Sequence, residues 1–169
     1  MRDDTLDKIV KYQPSHTPEA TLPNPLEATI EIAAPPERVW AVLSDLKRMP
    51  EFSPDTIRMV PLGTVRAGTW TVNLNHNKYY YPTSSRILRF EPDRVFSFRM
   101  NENRTIWSYT LEPTASGTRV TERREVPDGV AKPVRVMINA LLGGEQEFES
   151  GLVAGMNETL SKIKTAVES

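Results

Sequence analysis

The sequence predicts an α+β domain in which a long C-terminal helix lies across a curved antiparallel sheet and encloses an apolar cavity. Two observations lead to this prediction. Short segments between residues 26 and 126 alternate apolar and polar residues, as half-buried strands do. The last segment instead repeats apolar residues at steps of three or four, the spacing of one helix face: Phe148, Leu152, Met156, Leu160, Ile163 and Val167.

Length and composition limit the classes of protein to which this chain can belong. The chain has 169 residues, the usual size of one domain, and a domain of this size buries roughly 70% of its unfolded surface. The absence of cysteine excludes disulfides and thiolate chemistry, and it fits a reducing compartment. With a net charge of −1, the chain as a whole has no positive potential that would attract nucleic acid or an anionic membrane. Without a signal peptide or a bilayer-spanning apolar run, we expect a cytoplasmic protein.

Residues 1–25 are predicted to form an N-terminal extension, and residues 26–169 the domain itself. Leu6, Ile9 and Val10 could form one face of a short helix, but four prolines between 14 and 25 break any regular element after it. We expect the extension to pack on the domain or on a neighbouring copy, which would allow a homodimer. An unanchored tail is the alternative.

The range 26–32 predicts the first strand, because its apolar residues alternate with charged and hydroxyl residues. Pro35 and Pro36 end this strand, and their fixed φ suits the start of a helix. Apolar residues at helical spacing follow, and Pro50 and Pro54 end a region that we predict as two short helices.

Several strand-like segments then lie between short polar turns, which predicts an antiparallel meander. In each segment one set of alternating positions is apolar, and we predict that this set faces the helix. The set comprises Trp70, Val72, Leu74, Phe96, Phe98, Met100, Trp107, Tyr109, Leu111, Val120 and Val126.

The C-terminal helix is predicted from about residue 145 to residue 167. Gly151 and Gly155 lie inside it, and each costs about 1 kcal/mol relative to alanine. These glycines either allow close packing on the sheet or leave cavity volume and let the helix flex. A shorter helical piece is predicted over 134–142, so that Gly143-Gly144 would be the hinge of a lid.

The segment that follows the first predicted strand resembles that of a known protein family. Ala34-Pro-Pro-Glu-Arg-Val-Trp-Ala-Val-Leu-Ser-Asp45 resembles the start of the polyketide cyclase/dehydrase-like branch of the START-like (SRPBCC) superfamily. Residues 90–98 and 107–122 agree with that pattern in order and spacing. The resemblance covers residues 26–167. It implies a helix-grip fold whose cavity holds lipids, polyketides or other apolar molecules, and only some members are enzymes.

We predict that side chains from both the sheet and the helix line this cavity. Trp70, Phe98, Trp107 and Tyr109 are the expected aromatic walls, although a buried core is the general alternative for aromatic residues. The full predicted ligand-binding set is Trp70, Val72, Leu74, Arg86, Phe98, Trp107, Tyr109, Glu122, Arg124, Phe148, Leu152, Gly155 and Met156.

Three charged residues share a predicted strand face with apolar neighbours. Glu122 and Arg124 have the parity of the valines on either side of them, and Arg86 has the parity of Phe90. A buried charge costs several kcal/mol unless it is paired or wet, so this pattern favours polar anchors in a solvated cavity. Positions on a solvated sheet edge are the alternative, and a β-bulge would reverse either assignment.

Acid/base chemistry in the cavity has four candidates: Tyr109, Glu122, Arg86 and His76. They form no recognisable dyad in sequence, and a histidine in an Asn-His-Asn segment is more often a turn residue. Two isolated histidines without metal-ligand spacing predict no metal site. No phosphate-binding loop, nucleophile elbow or dinucleotide motif is present, so we expect no cofactor.

Three functions follow as hypotheses. The first is binding of a small apolar ligand, a lipid or a polyketide-like compound, in the cavity. The second is a cyclase or dehydratase that uses the same cavity. The third is a protein-interaction module that uses the extension or the outer face of the helix. We expect no integral membrane contact, and no nucleic-acid binding because Arg119, Arg123 and Arg124 are interleaved with glutamates.

Overall fold

Seven antiparallel strands form one sheet in the part of the chain that the computed structural model describes, residues 25–129, 136, 140 and 144–169. The strands are β1 (Leu26–Ile32), β2 (Thr56–Pro61), β3 (Trp70–His76), β4 (Tyr80–Glu91), β5 (Val95–Met100), β6 (Ile106–Thr114) and β7 (Gly117–Glu125). Their order is β1-β7-β6-β5-β4-β3-β2, so the predicted meander from β2 to β7 is confirmed. The first strand pairs with the last, and β2 forms the opposite edge.

Short helices follow β1, and a long helix ends the domain. They are α1 (Pro36–Leu43), a 3-10 turn (Leu46–Arg48), α2 (Met49–Phe52) and α3 (Glu145–Glu168). Pro36 opens α1, where its missing N–H removes no helical hydrogen bond. The predicted helix-grip architecture is confirmed, and its long helix begins at the predicted residue and ends one residue later than predicted. No helix in the described ranges is long and apolar enough to cross a membrane.

The apolar core lies under the C-terminal half of α3. Leu160 and Ile163 from this half are fully buried, together with Ile32 of β1, Phe96 of β5 and Val120 of β7. The N-terminal half of α3 carries Phe148 and Leu152, which are only half-buried. Dense packing therefore ends midway along the helix, and space remains between its first half and the sheet.

Three predictions fall wholly or largely on residues outside the described ranges. They concern the N-terminal extension, the helical piece over 134–142 and a hinge at Gly143. Gly144, which is described, precedes α3 with a φ of 98°. Because this left-handed value is strained for other residues, glycine suits the start of the helix.

Candidate functional site

A cavity of about 230 Å³ lies between the sheet and the N-terminal half of α3. Strands β3 to β7 supply most of its wall, and the α2–β2 region closes one side through Met49, Ser53 and Met59. Pockets that bind drug-sized ligands commonly span about 300–1,000 Å³, so this space suits a smaller molecule.

One wall of the cavity is aromatic and apolar. Phe98, Trp107 and Tyr109 contribute from β5 and β6, and Phe148 and Leu152 contribute from α3. These five positions were predicted to line the cavity, and the structure places all of them there. The Tyr109 ring also stacks on the buried Phe96 ring, with the two centroids 6.1 Å apart. This contact fixes the orientation of the tyrosine inside the site.

The wall formed by β3 and β4 is polar. Asn73 Nδ2 donates to Ser85 Oγ at 2.8 Å and to Thr83 Oγ1 at 3.3 Å, while Asn73 Oδ1 accepts from Thr71 Oγ1 at 3.0 Å. Asn75 Nδ2 donates to Thr83 Oγ1 at 2.8 Å. Its amide oxygen accepts no hydrogen bond from the described residues, so it is free to receive a ligand hydroxyl.

The prediction that Trp70, Val72 and Leu74 line the cavity is wrong. These side chains lie on the outer face of β3 and are 45%, 50% and 37% exposed, whereas Asn73 and Asn75 point inward. The prediction assumed that the apolar face of a strand is the buried one. On β3, near the β2 edge, the inner face is the polar wall of a cavity and not part of a packed core. The assumption therefore fails on this strand.

The prediction that Arg86 is an anchor inside the cavity is also wrong. Arg86 is exposed opposite Trp70, and its guanidinium carbon lies 6.0 Å from the Trp70 ring centroid. Its inward assignment depended on sharing the parity of Phe90. The register of β4 shifts between Ile87 and Arg89, and this irregularity breaks the parity. Ile87 and Ser85 face inward in its place.

Glu122 and Tyr109 form a buried pair in the cavity. They are direct partners across β7 and β6, and Tyr109 Oη donates to Glu122 Oε1 at 2.8 Å. Both side chains are 3% exposed, and Glu122 Oε2 has no hydrogen-bond partner among the described residues. Burial raises the pKa of Glu122 to about 8, although the Tyr109 hydrogen bond opposes this rise. Burial, with the nearby Glu122 carboxyl, raises the pKa of Tyr109 well above its usual value.

Because the pKa of Glu122 is about 8, its carboxyl keeps its proton at neutral pH and can act as a proton donor. In the protonated form of Glu122, Oε1 accepts from the tyrosine and Oε2 carries the hydrogen. That hydrogen has no acceptor in the described residues, and the side chain borders the cavity. Oε2 has less than 1 Å² of accessible surface, so the pair can offer this O–H group to a ligand oxygen only after the Glu122 carboxyl turns toward the cavity.

Arg124 places a cation beside this pair. It follows Glu122 on the same strand face, lines the cavity and is half-buried. Burial lowers the pKa of Arg124, and the Glu149 carboxylate opposes this effect. Its guanidinium has no ion pair or hydrogen bond with the described residues. The predicted inward direction of Glu122 and Arg124 agrees with the structure, and their role as anchors stays a prediction.

His76 does not line the cavity. Its ring packs on Tyr80 with centroids 4.3 Å apart, and its backbone N–H donates to the Asp55 carbonyl at 2.9 Å. Asp55 itself borders the cavity, where burial raises the pKa of its carboxyl. His76 is thus not positioned to act as a base on a ligand in the cavity, as the sequence had allowed.

The helix glycines do not enlarge the cavity. A Cβ added at Gly155 would lie 3.7 Å from Pro54 Cγ, an ordinary van der Waals contact, and a Cβ at Gly151 would meet no atom within 4 Å. Met156 is buried in the core and does not border the cavity. The prediction that Gly155 and Met156 line the cavity is therefore wrong, because the helix turns these two positions toward Pro54 and the core.

Sequence reasoning missed the amide and hydroxyl wall. Its signal was the second parity of β3, where Thr71, Asn73 and Asn75 alternate with the apolar residues. Polar residues at that parity were interpreted as solvent-facing. Within the described ranges, no three His, Asp or Glu side chains come together as they would around a metal ion.

Comparisons with known proteins agree with this fold. Residues 25–168 match the family model described as polyketide cyclase / dehydrase and lipid transport. A Polyketide_cyc-like protein from Corynebacterium glutamicum, solved by NMR, is 28% identical with a TM-score of 0.57, and the match covers 85% of this chain and 91% of that one. Sequence comparison with curated proteins returns no significant match.

Two further solved structures share the fold. The ZhuI aromatase/cyclase from a Streptomyces species is 17% identical with a TM-score of 0.70, covering 86% of this chain and 93% of that chain. The di-domain ARO/CYC StfQ of the steffimycin biosynthetic pathway is 15% identical with a TM-score of 0.69, covering 85% of this chain. This chain spans 50% of the length of that di-domain protein.

Proposed function

The chain belongs to the polyketide cyclase/dehydrase and lipid transport family, and from this premise we propose that its cavity binds a small polyketide-like aromatic molecule with oxygen substituents. The observation that carries the proposal is the division of the cavity into an aromatic wall and an amide–hydroxyl wall. A purely hydrocarbon ligand would cover the Asn75 amide oxygen without pairing it, and a buried unpaired group costs about 1–3 kcal/mol. An oxygenated ring would pair with this amide oxygen on one side and pack on Trp107 and Phe98 on the other.

The volume of the cavity further limits the class of ligand that it can bind. A space of about 230 Å³ lies below the usual range for drug-sized ligands. Long acyl chains therefore fit poorly, and a molecule of two or three fused rings fits best. The free amide oxygen of Asn75 would supply one acceptor, and the O–H of the Glu122–Tyr109 pair would supply one donor once the covered Glu122 Oε2 turns toward the cavity.

Two probes of equal shape test this proposal. Dihydroxynaphthalene should bind at least about tenfold more tightly than dimethylnaphthalene, because only the first can pair with the polar wall. Titration calorimetry or Trp107 fluorescence quenching would measure the two affinities. The variant Leu152→Trp, which fills the cavity, should abolish both. Equal affinities, or binding that survives Leu152→Trp, would place the ligand elsewhere and refute the proposal.

A dehydratase is the second candidate function, and the unpaired Oε2 of Glu122 favours it. The protonated carboxyl would donate its hydrogen to a β-hydroxyl group of the ligand, which leaves as water. The resulting carboxylate would take a proton from the adjacent carbon as the double bond forms. Glu122 returns to its acid form, and the net change is the loss of one water. A pKa of about 8 suits a general acid near neutral pH.

A β-hydroxytetralone, which loses water to give a naphthol, tests this second candidate. Turnover should be followed by naphthol absorbance and should decline above pH about 8, where Glu122 loses its proton. Glu122→Gln should bind the naphthol product yet reduce turnover by about 100-fold or more. No turnover by the wild-type protein, together with tight naphthol binding, would leave ligand binding as the function and exclude this dehydration.

A further inference from the structure

The outer face of β2, β3 and β4 carries an exposed apolar surface. Among the described residues, every exposed large hydrophobic side chain except Val136 lies between residues 57 and 88. We define the outer patch as Val60, Leu62, Trp70, Val72, Leu74 and Tyr80. Cross-strand pairing joins its members: Val60 pairs with Val72, and the Leu62 N–H donates to the Trp70 carbonyl at 2.8 Å. Soluble monomers rarely leave a continuous apolar surface of this kind without a partner.

The same part of the chain is strongly basic. Residues 56–90 contain no Asp or Glu, although the whole chain has a net charge of −1. Arg58 is beside Leu74 and Arg86 is beside Trp70, so both border the outer patch. Arg66 and Lys78 are also exposed, and none of these four cations has an ion-pair partner among the described residues. The net charge of the chain therefore conceals a local positive field.

The outer face at the other edge of the sheet is built differently. On β1 and β7, Arg123 pairs with Glu27 at 2.7 Å and Arg119 pairs with Glu31 at 2.8 Å. Thr29 and Thr121 lie between these pairs and bond to each other at 3.1 Å. That face is charge-balanced and polar, as expected of a surface that meets only water. Unpaired cations around apolar residues are thus a local property of the β2–β4 face.

We propose that the outer patch docks the protein onto the surface of an anionic lipid bilayer. Tryptophan and tyrosine favour the headgroup region, and leucine and valine enter the boundary of the acyl chains. Each nearby lysine or arginine gains about 1 kcal/mol from anionic headgroups. A second copy of the chain fits this face poorly, because a two-fold contact would bring both copies of the unpaired Arg58 and Arg86 into one interface without any carboxylate from residues 56–90. Single-stranded nucleic acid fits less well, since four of the six residues of the outer patch are branched aliphatic and offer bases no stacking surface.

The outer patch adjoins the mouth of the cavity. Tyr81 lines the cavity and is 41% exposed, while its neighbours Tyr79 and Tyr80 are 71% and 68% exposed. Docking through this face would therefore bring the cavity mouth close to the bilayer, where apolar molecules partition. The inference does not depend on which ligand the cavity binds.

Vesicle co-sedimentation with the full chain tests the proposal. Phosphatidylcholine vesicles that contain phosphatidylglycerol should retain the protein, and high salt or pure phosphatidylcholine should release it. Val72→Glu, at the centre of the outer patch, should weaken vesicle binding about tenfold or more. Thr29→Glu is the matched control, because it adds the same charge to the outer face of β1. It should bind vesicles as the wild type does.

Thermal unfolding would show whether Val72→Glu folds, and the double charge reversal of Arg58 and Arg86 to Glu provides an independent variant. Both variants are expected to lose vesicle binding while keeping probe binding in the cavity. Absence of wild-type binding to anionic vesicles, or equal loss in Thr29→Glu, would overturn the proposal. A wild-type dimer that Val72→Glu dissociates, seen by sedimentation equilibrium without vesicle binding, would assign the face to a second copy and also overturn it.

Discussion

Replacing Glu122 with glutamine should make the protein markedly more stable in alkaline solution. The pKa of Glu122 is about 8 in the folded protein, compared with a value of 4.5 for an ordinary glutamate. Between these two pH values the folded state binds more protons than the unfolded state, so the free energy of unfolding falls as the pH rises. With 1.36 kcal/mol per pKa unit, the loss over the interval is roughly 4–5 kcal/mol. Glutamine keeps the Tyr109 hydrogen bond and does not titrate, so it escapes this loss.

Denaturant unfolding at a series of pH values would measure the effect. The wild-type and Glu122→Gln proteins should have similar stability near pH 4.5, where the loss has barely begun. Their stabilities should diverge up to pH about 8 and remain apart above it. Stability curves that stay parallel across this range would show that Glu122 titrates normally, and the buried proton donor would then be rejected.

Two variants separate the contribution of Glu122 from general effects. Tyr109→Phe removes the hydrogen bond that lowers the pKa of Glu122, so the stability loss should extend to higher pH. The second variant, Glu125→Gln, is a control. Glu125 lies on the same strand as Glu122, but its carboxylate is partly exposed and pairs with Arg123 at 3.0 Å. This second variant should keep the wild-type dependence on pH, because it leaves the buried pair intact.

The second large effect is expected from Asn73→Leu. Leucine has the same branched shape as asparagine but cannot bond to Thr71, Thr83 or Ser85. The hydroxyls left without partners should reduce the free energy of unfolding by about 2–4 kcal/mol. The cavity should also lose its preference for the hydroxylated naphthalene over the methylated one, because part of the polar wall becomes apolar.

Urea unfolding and titration with the two naphthalene probes would test this variant. Asn77→Leu is the matched control, since Asn77 is exposed at the cavity mouth and its side chain makes no hydrogen bond with the described residues. The control should change stability by no more than about 0.5 kcal/mol. If Asn73→Leu were as stable and as selective as the control, the amide–hydroxyl wall would not be the feature that recognises oxygen.

The order and type of the elements could be predicted well because they depend on local periodicity. Alternation over residues 26–32 and the helical spacing from Phe148 to Val167 are properties of short segments, and the structure has β1 and α3 at these positions. The inward direction of Trp107, Tyr109 and Glu122 followed from the same alternation, because the inner face of β6 and β7 is the buried one, as the pattern assumes. Prediction failed on β3, near the β2 edge, where the inner face that borders the cavity is polar and the outer face is apolar.

The sequence by itself determined that residues of one parity share a face, and it therefore grouped Trp70 with Val72 and Glu122 with Arg124. Only the tertiary structure decided which face lines the cavity, because that choice depends on what packs against the strand. The face of β3 that is turned toward the helix is polar. The apolar residues of this strand therefore lie on the outer surface of the sheet and do not line the cavity. For β4 a register shift reversed the direction of Arg86. The partnership of Tyr109 with Glu122 likewise depends on the β6–β7 register, which joins residues that are 13 positions apart in the chain.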